Sequence, residues 1–168
     1  MTSKQITATV ILLVTLAGVA WWLFPENAAS EIRGAHRDLA RLMSKSEDET
    51  SKATLLNAYV LQAKFANTCT VRGAADMFVG SYTPEEMAGT IIRVRGLFRS
   101  VDLTFHGLKI DLPAADEATV SFTARVTVQY RTEGIADASE VREVVSRMEK
   151  VEGDWRFVGF TLTKASMR

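Results

Sequence analysis

Cysteine and histidine are scarce in this sequence, and their scarcity excludes several kinds of site. Among 168 residues there is one cysteine, Cys69, and there are two histidines, His36 and His106. A single cysteine excludes an intrachain disulfide and any multi-cysteine metal site. Two histidines so far apart offer no His-rich metal site. We therefore expect no metal and no other cofactor, and we expect Cys69 to be a small buried apolar residue.

An excess of charge of either sign is also missing. Lysine and arginine total 20, aspartate and glutamate total 20, and the net charge is zero. Without a basic field or a run of cations, nucleic acid is not an expected partner. No internal repeat, low-complexity block or linker divides the chain. The sequence from residue 25 to residue 168 is therefore expected to form one domain.

What the sequence does contain is one long uncharged run, Ile6–Phe24, after a short polar tail at residues 1–5. As a helix this run would extend about 28 Å, close to the hydrocarbon thickness of a bilayer. Trp21 and Trp22 stand near its end, where an aromatic belt belongs. The run predicts a transmembrane anchor in contact with membrane lipid. A signal peptide cleaved after Gly18-Val19-Ala20 and a buried core helix are the alternatives.

The orientation of the anchor is predicted from the charges on its two sides. Lys4 precedes the run, whereas Arg33, Arg37 and Arg41 follow it, so a count of cations alone does not favour a cytoplasmic N-terminus. However, these arginines start well beyond the run, and an apolar segment so early tends to act as an export signal. We expect a bacterial inner-membrane protein with its tail in the cytoplasm and its domain in the periplasm.

Helical periodicity then predicts three helices, Ala28–Lys45, Lys52–Ala66 and Pro84–Arg99. In the last of them Thr83 is the cap and Glu86 completes a capping box. The segment between the second and third helices predicts a short strand-like connection and an ambiguous stretch at 74–79. The second helix is expected to bury one apolar side, formed by Leu55, Leu56, Tyr59, Val60 and Ala63.

From Ser100 the apolar period changes from 3.6 to 2, which indicates strands. Four are predicted, with a hairpin loop at 113–117 and a tight turn at Glu152-Gly-Asp. The central strand, Ala118–Arg131, alternates strictly, with Val120, Phe122, Ala124, Val126, Val128 and Tyr130 on its apolar face. The other strands are expected at 100–112, Glu140–Val151 and Trp155–Thr163.

Helices followed by a meander of strands favour an α+β fold. We expect a transmembrane helix and then a cone of about three helices packed on a curved, antiparallel sheet of four or slightly more strands, with a cavity at its mouth. The element order, the turn before Trp155–Leu162 and the alternating strand Ala118–Tyr130 resemble the nuclear-transport-factor-2-like superfamily (SnoaL/ketosteroid-isomerase-like fold). The resemblance covers residues 28–164.

That resemblance implies a conical pocket and dimerisation through the outer face of the sheet. Members of the superfamily include isomerase-like and cyclase-like enzymes, dehydratases, transport factors, accessory domains and membrane-anchored parts of secretion machinery. No short motif of those enzymes matches here, so the resemblance assigns no catalytic residue.

An isomerase-like site could draw its polar groups from Asp76, Tyr82, Asp102, His106 and Tyr130, and Asp76, Tyr82 and His106 are the favoured candidates. Asp76 has apolar neighbours and is a candidate base, although a capping or loop aspartate is the commoner role. His106 belongs by its period with polar residues, which favours a solvated or rim position.

The polar face of the central strand supplies interface candidates, namely Thr123, Arg125, Thr127, Gln129 and Arg131. We therefore expect a membrane-anchored binding or assembly module, an accessory subunit of a membrane protein complex, that meets a protein partner or a second copy through this face. The alternative is a protein that binds a small apolar ligand, or an isomerase-like or cyclase-like enzyme, using the cone pocket. If the anchor is cleaved, a secreted ligand carrier follows.

Overall fold

The computed structural model describes residues 27–73, 78–132 and 134–163. Three helices lie within these ranges: α1 at residues 27–43, α2 at Ser51–Gln62 and α3 at Pro84–Gly96. None of the helices in the described part of the chain has the length and apolar character needed to cross a bilayer. The predicted anchor Ile6–Phe24 and the candidate Asp76 lie outside the described residues.

Six strands form one sheet: β1 (Phe65–Gly73), β2 (Gly80–Tyr82), β3 (Phe98–Ala114), β4 (Glu117–Tyr130), β5 (Ala138–Val151) and β6 (Asp154–Leu162). Their order across the sheet is β2-β1-β6-β5-β4-β3. The β1–β6 pair is parallel and every other pair is antiparallel. The α+β class is confirmed, but a purely antiparallel sheet of about four strands is corrected to a mixed sheet of six.

Strand β1 confirms the predicted strand-like connection at residues 67–73, but it starts two residues earlier, inside the predicted second helix. Residues 65 and 66 were expected to end the second helix, yet α2 stops at Gln62 and Phe65 pairs with Phe157 of β6. The backbone N–H of Phe157 also donates to the carbonyl of Lys64 at 2.9 Å. The side chain of Phe65 is buried in the core. Pairing with a strand some 90 residues away therefore overrides the local helical pattern.

Strand β4 has the two faces that its alternation predicted. Ala118, Val120 and Phe122 are buried on the inner face, and β4 pairs with β3 on one side and with β5 on the other. The pairing with β3 is interrupted between His106 and Lys109, where Gly107 has a φ of 65°. Such a bulge bends a strand and increases its twist, so it curves the sheet around the helices.

The predicted start of α3 is confirmed in atomic detail. The hydroxyl oxygen of Thr83 accepts from the backbone N–H of Glu86 at 3.3 Å, and the backbone N–H of Thr83 donates to the Glu86 carboxylate at 2.9 Å. Pro84 occupies the first turn, where its missing N–H leaves no bond unmade. The helix therefore begins at a position that three local residues determine.

The expected burial of α2 is wrong for its three largest apolar side chains. Leu55, Leu56 and Tyr59 are 72%, 63% and 73% exposed, and Leu61 is the buried residue of the helix. Apolar residues lie on nearly every side of α2, so its pattern does not select one face. The face that packs is chosen by α3 and by the turn into β1.

The core occupies one half of the cone. It joins Ile32 and Leu39 of α1 to Val120 of β4, Met148 of β5 and Phe157 of β6. Along β4, the first half of the inner face packs into this core. The second half, from Phe122 to Val128, borders open space. The fold thus closes one end of the cone and leaves a cavity at the other.

Candidate functional site

An apolar cavity of about 610 Å³ lies between the helices and the second half of the sheet. The inner-face residues Phe122, Ala124, Val126 and Val128 of β4 form one wall. Helix α3 supplies Met87, Ile91 and Val94 at helical spacing, and α1 adds Leu39 and Met43. A cavity of this size and character is typical of sites for small organic molecules.

Of the three polar candidates, the structure places one on this cavity. Tyr82 lines it, and its hydroxyl donates to the carbonyl of Phe78 at 3.1 Å. His106 is exposed on the outer face of the sheet, 3.0 Å from the hydroxyl of Thr104. The cavity therefore does not bring Tyr82 and His106 together, and Asp76 is not among the described residues.

Arg95 lies on the cavity wall, but its charge is already balanced. Its side chain is only 3% exposed and pairs with the carboxylate of Glu49, which is 8% exposed. The Nη1 group of Arg95 donates to the carbonyl of Leu42 at 2.6 Å, and Nε is buried without a partner in the described residues. Burial lowers the pKa of Arg95, and Glu49 opposes that shift. Arg95 therefore joins α3 to the end of α1 and to the start of α2.

A second ion pair lines the cavity from β5. Arg142 contacts Glu140 through Nε and Nη2, both directed at the same carboxylate oxygen. The paired strand positions on β4 are Ala124 for Arg142 and Val126 for Glu140, and both of these residues line the cavity. The pair is therefore on the inner face of the sheet, whereas Glu143, Arg147 and Glu149 of the same strand are on the outer face.

His36 is the buried polar residue that the sequence analysis missed. Its Nδ1 lies 2.8 Å from the carbonyl of Ile32, and its Nε2 lies 2.8 Å from the hydroxyl of Ser146. A carbonyl can only accept, so Nδ1 carries the proton and the neutral ring accepts at Nε2 from Ser146. Burial lowers the pKa of His36, against the hydrogen bond to Ile32. Its spacing from Ile32 and Leu39, at four and three residues, could have placed it on the buried face of α1.

The pair of His36 and Ser146 has the spacing of a base and a hydroxyl nucleophile, yet it is closed to substrate. Both side chains are buried. The edges and faces of Phe105, Phe122 and Phe157 surround the imidazole, with ring centroids 6.3, 5.2 and 5.0 Å away. Phe105 and Phe122 also line the cavity, so they separate it from His36. The hydrogen bond between His36 and Ser146 therefore satisfies two polar side chains that are buried in the core.

Cys69 is unsuited to nucleophilic chemistry. The side chain is completely buried, and burial raises the pKa of its thiol to about 12. The nucleophilic form is the thiolate, which such a thiol does not populate near neutral pH. Within residues 27–73, 78–132 and 134–163 no three histidine, cysteine, aspartate or glutamate residues are grouped to hold a metal ion.

On the outer face of the sheet, most interface candidates bond to neighbours on the same surface. Thr123 donates to Glu143 at 2.8 Å, Thr127 lies 3.2 Å from the hydroxyl of Ser139, and Gln129 donates to Asp137 at 3.3 Å. Arg125 is exposed on this face.

Arg131 is placed differently from the other interface candidates. It follows β4, and its Nε donates to the carbonyl of Gly96 at the end of α3, 3.1 Å away. A cation at this position also suits the negative end of the helix dipole. Arg131 therefore stabilises a helix end, and the proposed interface on the outer face stays a prediction.

Several solved structures with a similar fold are described as enzymes or as proposed enzymes. A proposed scytalone dehydratase from Novosphingobium aromaticivorans matches with a TM-score of 0.69 at 19% identity, over 86% of this chain and 87% of that one. A hexachlorocyclohexane dehydrochlorinase from Novosphingobium barchaimii matches at 0.65 and 15%, over 86% and 90%. A proposed dehydratase of the nuclear-transport-factor-2-like family from Streptomyces avermitilis matches at 0.63 and 10%, over 85% and 99%.

Comparisons of sequence alone give no match, neither to a family model nor to a curated protein. At these identities the structural similarity establishes the fold alone, which this chain shares with these structures, one of them described as a member of the nuclear-transport-factor-2-like family. An activity does not follow from it, because one fold hosts many functions.

Proposed function

We propose that this protein, which has the nuclear-transport-factor-2-like fold, binds an apolar small molecule in the cavity of its cone. The observation that carries the proposal is the cavity itself, about 610 Å³ in volume with walls made mainly of aliphatic and aromatic side chains. Apolar walls of this kind would contact water if the cavity had no ligand, and their burial by an apolar molecule is favourable by about 25 cal/mol per Å².

Binding is a better fit to this cavity than proton-transfer catalysis. Among the described residues that line it, the one carboxylate, Glu140, already accepts from Arg142. The one tyrosine hydroxyl, that of Tyr82, donates to a backbone carbonyl. The buried imidazole of His36 lies behind Phe105 and Phe122. A general base needs direct reach to the proton that it removes, which His36 lacks, and the carboxylate of Glu140 is already engaged by the guanidinium of Arg142.

The experiment is a titration with N-phenyl-1-naphthylamine, a dye that fluoresces in apolar sites, on the wild type and two matched variants. Ala124→Phe places a ring in the cavity, whereas Arg125→Phe places the same ring on the opposite face of the same strand. We expect Ala124→Phe to weaken binding of the dye by roughly tenfold or more, because the ring takes up cavity volume. We expect Arg125→Phe to bind the dye as the wild type does.

Thermal unfolding of both variants shows whether the fold survives each substitution. Equal affinity in the two folded variants, or no saturable binding by the wild type, would contradict a ligand site in the cavity. Native mass spectrometry of the freshly purified protein then identifies any small molecule that it carries.

We also propose that residues 6–24 anchor the domain to a membrane, where its outer sheet face meets a protein partner. The sequence supports this through nineteen uncharged residues, followed by only Pro25 and Glu26 before the described part of α1 begins at residue 27. Extraction of native membranes with alkaline carbonate tests the anchor. A mature chain that begins near Trp21, or a chain released by carbonate, would contradict it.

A further inference from the structure

Strand β5 reverses the usual placement of apolar and charged residues at one point. Val141 is exposed on the outer face, whereas Glu140 and Arg142 are on the inner face with the cavity-lining residues. Farther along the inner face of β5, Val144, Ser146 and Met148 are buried, and the one other charged residue, Lys150, pairs with Glu31 of α1 at the closed end of the cone. A departure from the pattern that the fold requires is most often found at functional positions.

The geometry of the pair leaves hydrogen-bonding groups for a ligand. A guanidinium has five N–H donors, and the contacts with Glu140 use Nε and Nη2 of Arg142. Within the described part of the chain, Nη1 of Arg142 donates to no other group. The side chain of Arg142 is 24% exposed and that of Glu140 is 49% exposed, so both are reached from the cavity.

The charges on the cavity wall are balanced in pairs. Arg95 is paired with Glu49, and Arg142 is paired with Glu140. Two further cations are close to this end of the cone, but Lys45 donates to the carbonyl of Phe98 and Arg131 to that of Gly96, and neither of them lines the cavity. The described cavity wall therefore has no cation without a carboxylate of its own.

Because Arg142 is already paired with Glu140, the cavity should favour a ligand with an uncharged polar end over one with a carboxylate. A ligand carboxylate beside Arg142 would also lie beside Glu140, and two carboxylates that share one cation in a partly desolvated site repel each other. An uncharged acceptor such as a ketone takes a hydrogen bond from Arg142 without that repulsion. A hydrocarbon avoids the repulsion but leaves the donor unused.

We infer that the ligand of this cavity is an uncharged apolar molecule with a carbonyl-type acceptor at one end, that Arg142 donates to this acceptor, and that Glu140 excludes carboxylates. The inference rests on the binding function proposed above and specifies its ligand class.

The test compares three probes of equal chain length, 2-decanone, decanoate and decane, by displacement of N-phenyl-1-naphthylamine at about pH 8, where a carboxylate is fully ionised. We expect 2-decanone to displace the dye at roughly tenfold lower concentration than either of the other two, since a hydrogen bond from a charged donor contributes about that factor.

Two substitutions separate the roles of the pair. Glu140→Gln removes the negative charge with little change of shape and is expected to strengthen binding of decanoate by roughly tenfold, because Arg142 then lacks a counter-ion. Arg142→Met is expected to abolish the preference for 2-decanone over decane. Glu143→Gln, on the outer face of the same strand, is the matched control and should leave all three affinities unchanged.

The outcomes distinguish this inference from the proposal on which it rests. If the wild type prefers decanoate, or if Glu140→Gln leaves the ratio of decanoate to 2-decanone unchanged, the selective role of the pair is wrong and the binding function stands. If none of the probes displaces the dye and the dye itself does not bind, the binding function fails and this inference fails with it.

Discussion

Replacement of Arg95 by methionine is expected to destabilise the domain by about 3–5 kcal/mol, the range found when one partner of a buried ion pair is removed. Methionine keeps the apolar stem but removes the bond to the Leu42 carbonyl and leaves the buried Glu49 carboxylate without its cation. Thr54 continues to donate to Glu49, which limits the loss. For a chain of this size the melting temperature should fall by roughly 6–20 °C.

The assay is urea unfolding followed by far-ultraviolet circular dichroism, with the double variant Arg95→Met/Glu49→Leu measured alongside. Replacing both partners removes the uncompensated carboxylate, so the double variant should recover most of the loss. Such recovery identifies the buried charge, and not the missing arginine contacts, as the main cost.

The matched control is the exposed pair of Arg99 and Glu47, whose atoms are 3.5 Å apart. Arg99→Met should cost less than about 1 kcal/mol, because solvent screens an exposed pair. If Arg95→Met costs no more than Arg99→Met, or if the double variant is no more stable than Arg95→Met alone, the buried pair does not have the role assigned to it.

Two buried groups give further predictions. Since burial lowers the pKa of His36 below its ordinary value of 6.5, the unfolded chain binds a proton that the folded chain does not. The free energy of unfolding should therefore be independent of pH near pH 8, and it should decrease as the pH drops below 6.5. His36→Gln should flatten this dependence and His106→Gln, an exposed control, should keep it; a flat wild-type profile down to about pH 5.5 would refute the assignment. Cys69, with its thiol pKa near 12, should resist Ellman's reagent in the folded protein and react fully in denaturant, and rapid reaction of the native thiol would contradict its burial.

Local patterns in the sequence were sufficient for strand β4 and for the start of α3. The alternation along β4 names the residues of each face without knowledge of the rest of the fold, because the period of a strand is set by its own backbone. Thr83 and Glu86 form their capping box within four residues. Features of this kind depend on neighbours along the chain, and the sequence displays them directly.

The start of strand β1 and the buried face of α2 could not be found in this way. Phe65 and Ala66 fit a helix by composition, and only the parallel pairing with β6 makes them part of a strand. The apolar side chains of Leu55, Leu56 and Tyr59 favoured a buried face, yet the packing of α2 leaves them exposed. In both cases the deciding contact comes from residues distant in the sequence.

The residues of the candidate site were likewise only partly predictable from local sequence patterns. The apolar wall of β4 follows from its pattern. Of the polar candidates, Tyr82 lies on the cavity and His106 lies exposed on the outer face, and neither has a tested role. The charged pair on β5 was missed because valines occur on both faces of this strand, at 141 and 145 and at 144, so its pattern does not identify the inner face. Its true face is set by the register with β4, which pairs Glu140 with Val126.

The sequence alone determined that the chain is an α+β protein with one long amphipathic strand, a capped third helix, balanced charge and no cysteine-rich or histidine-rich metal site. The tertiary structure alone decided which charges are buried, since Arg95 of α3 pairs with Glu49 of the loop before α2, and His36 meets Ser146 across 110 positions of sequence. Periodicity is a property of neighbouring residues, but burial and pairing depend on contacts that form only when distant segments pack together.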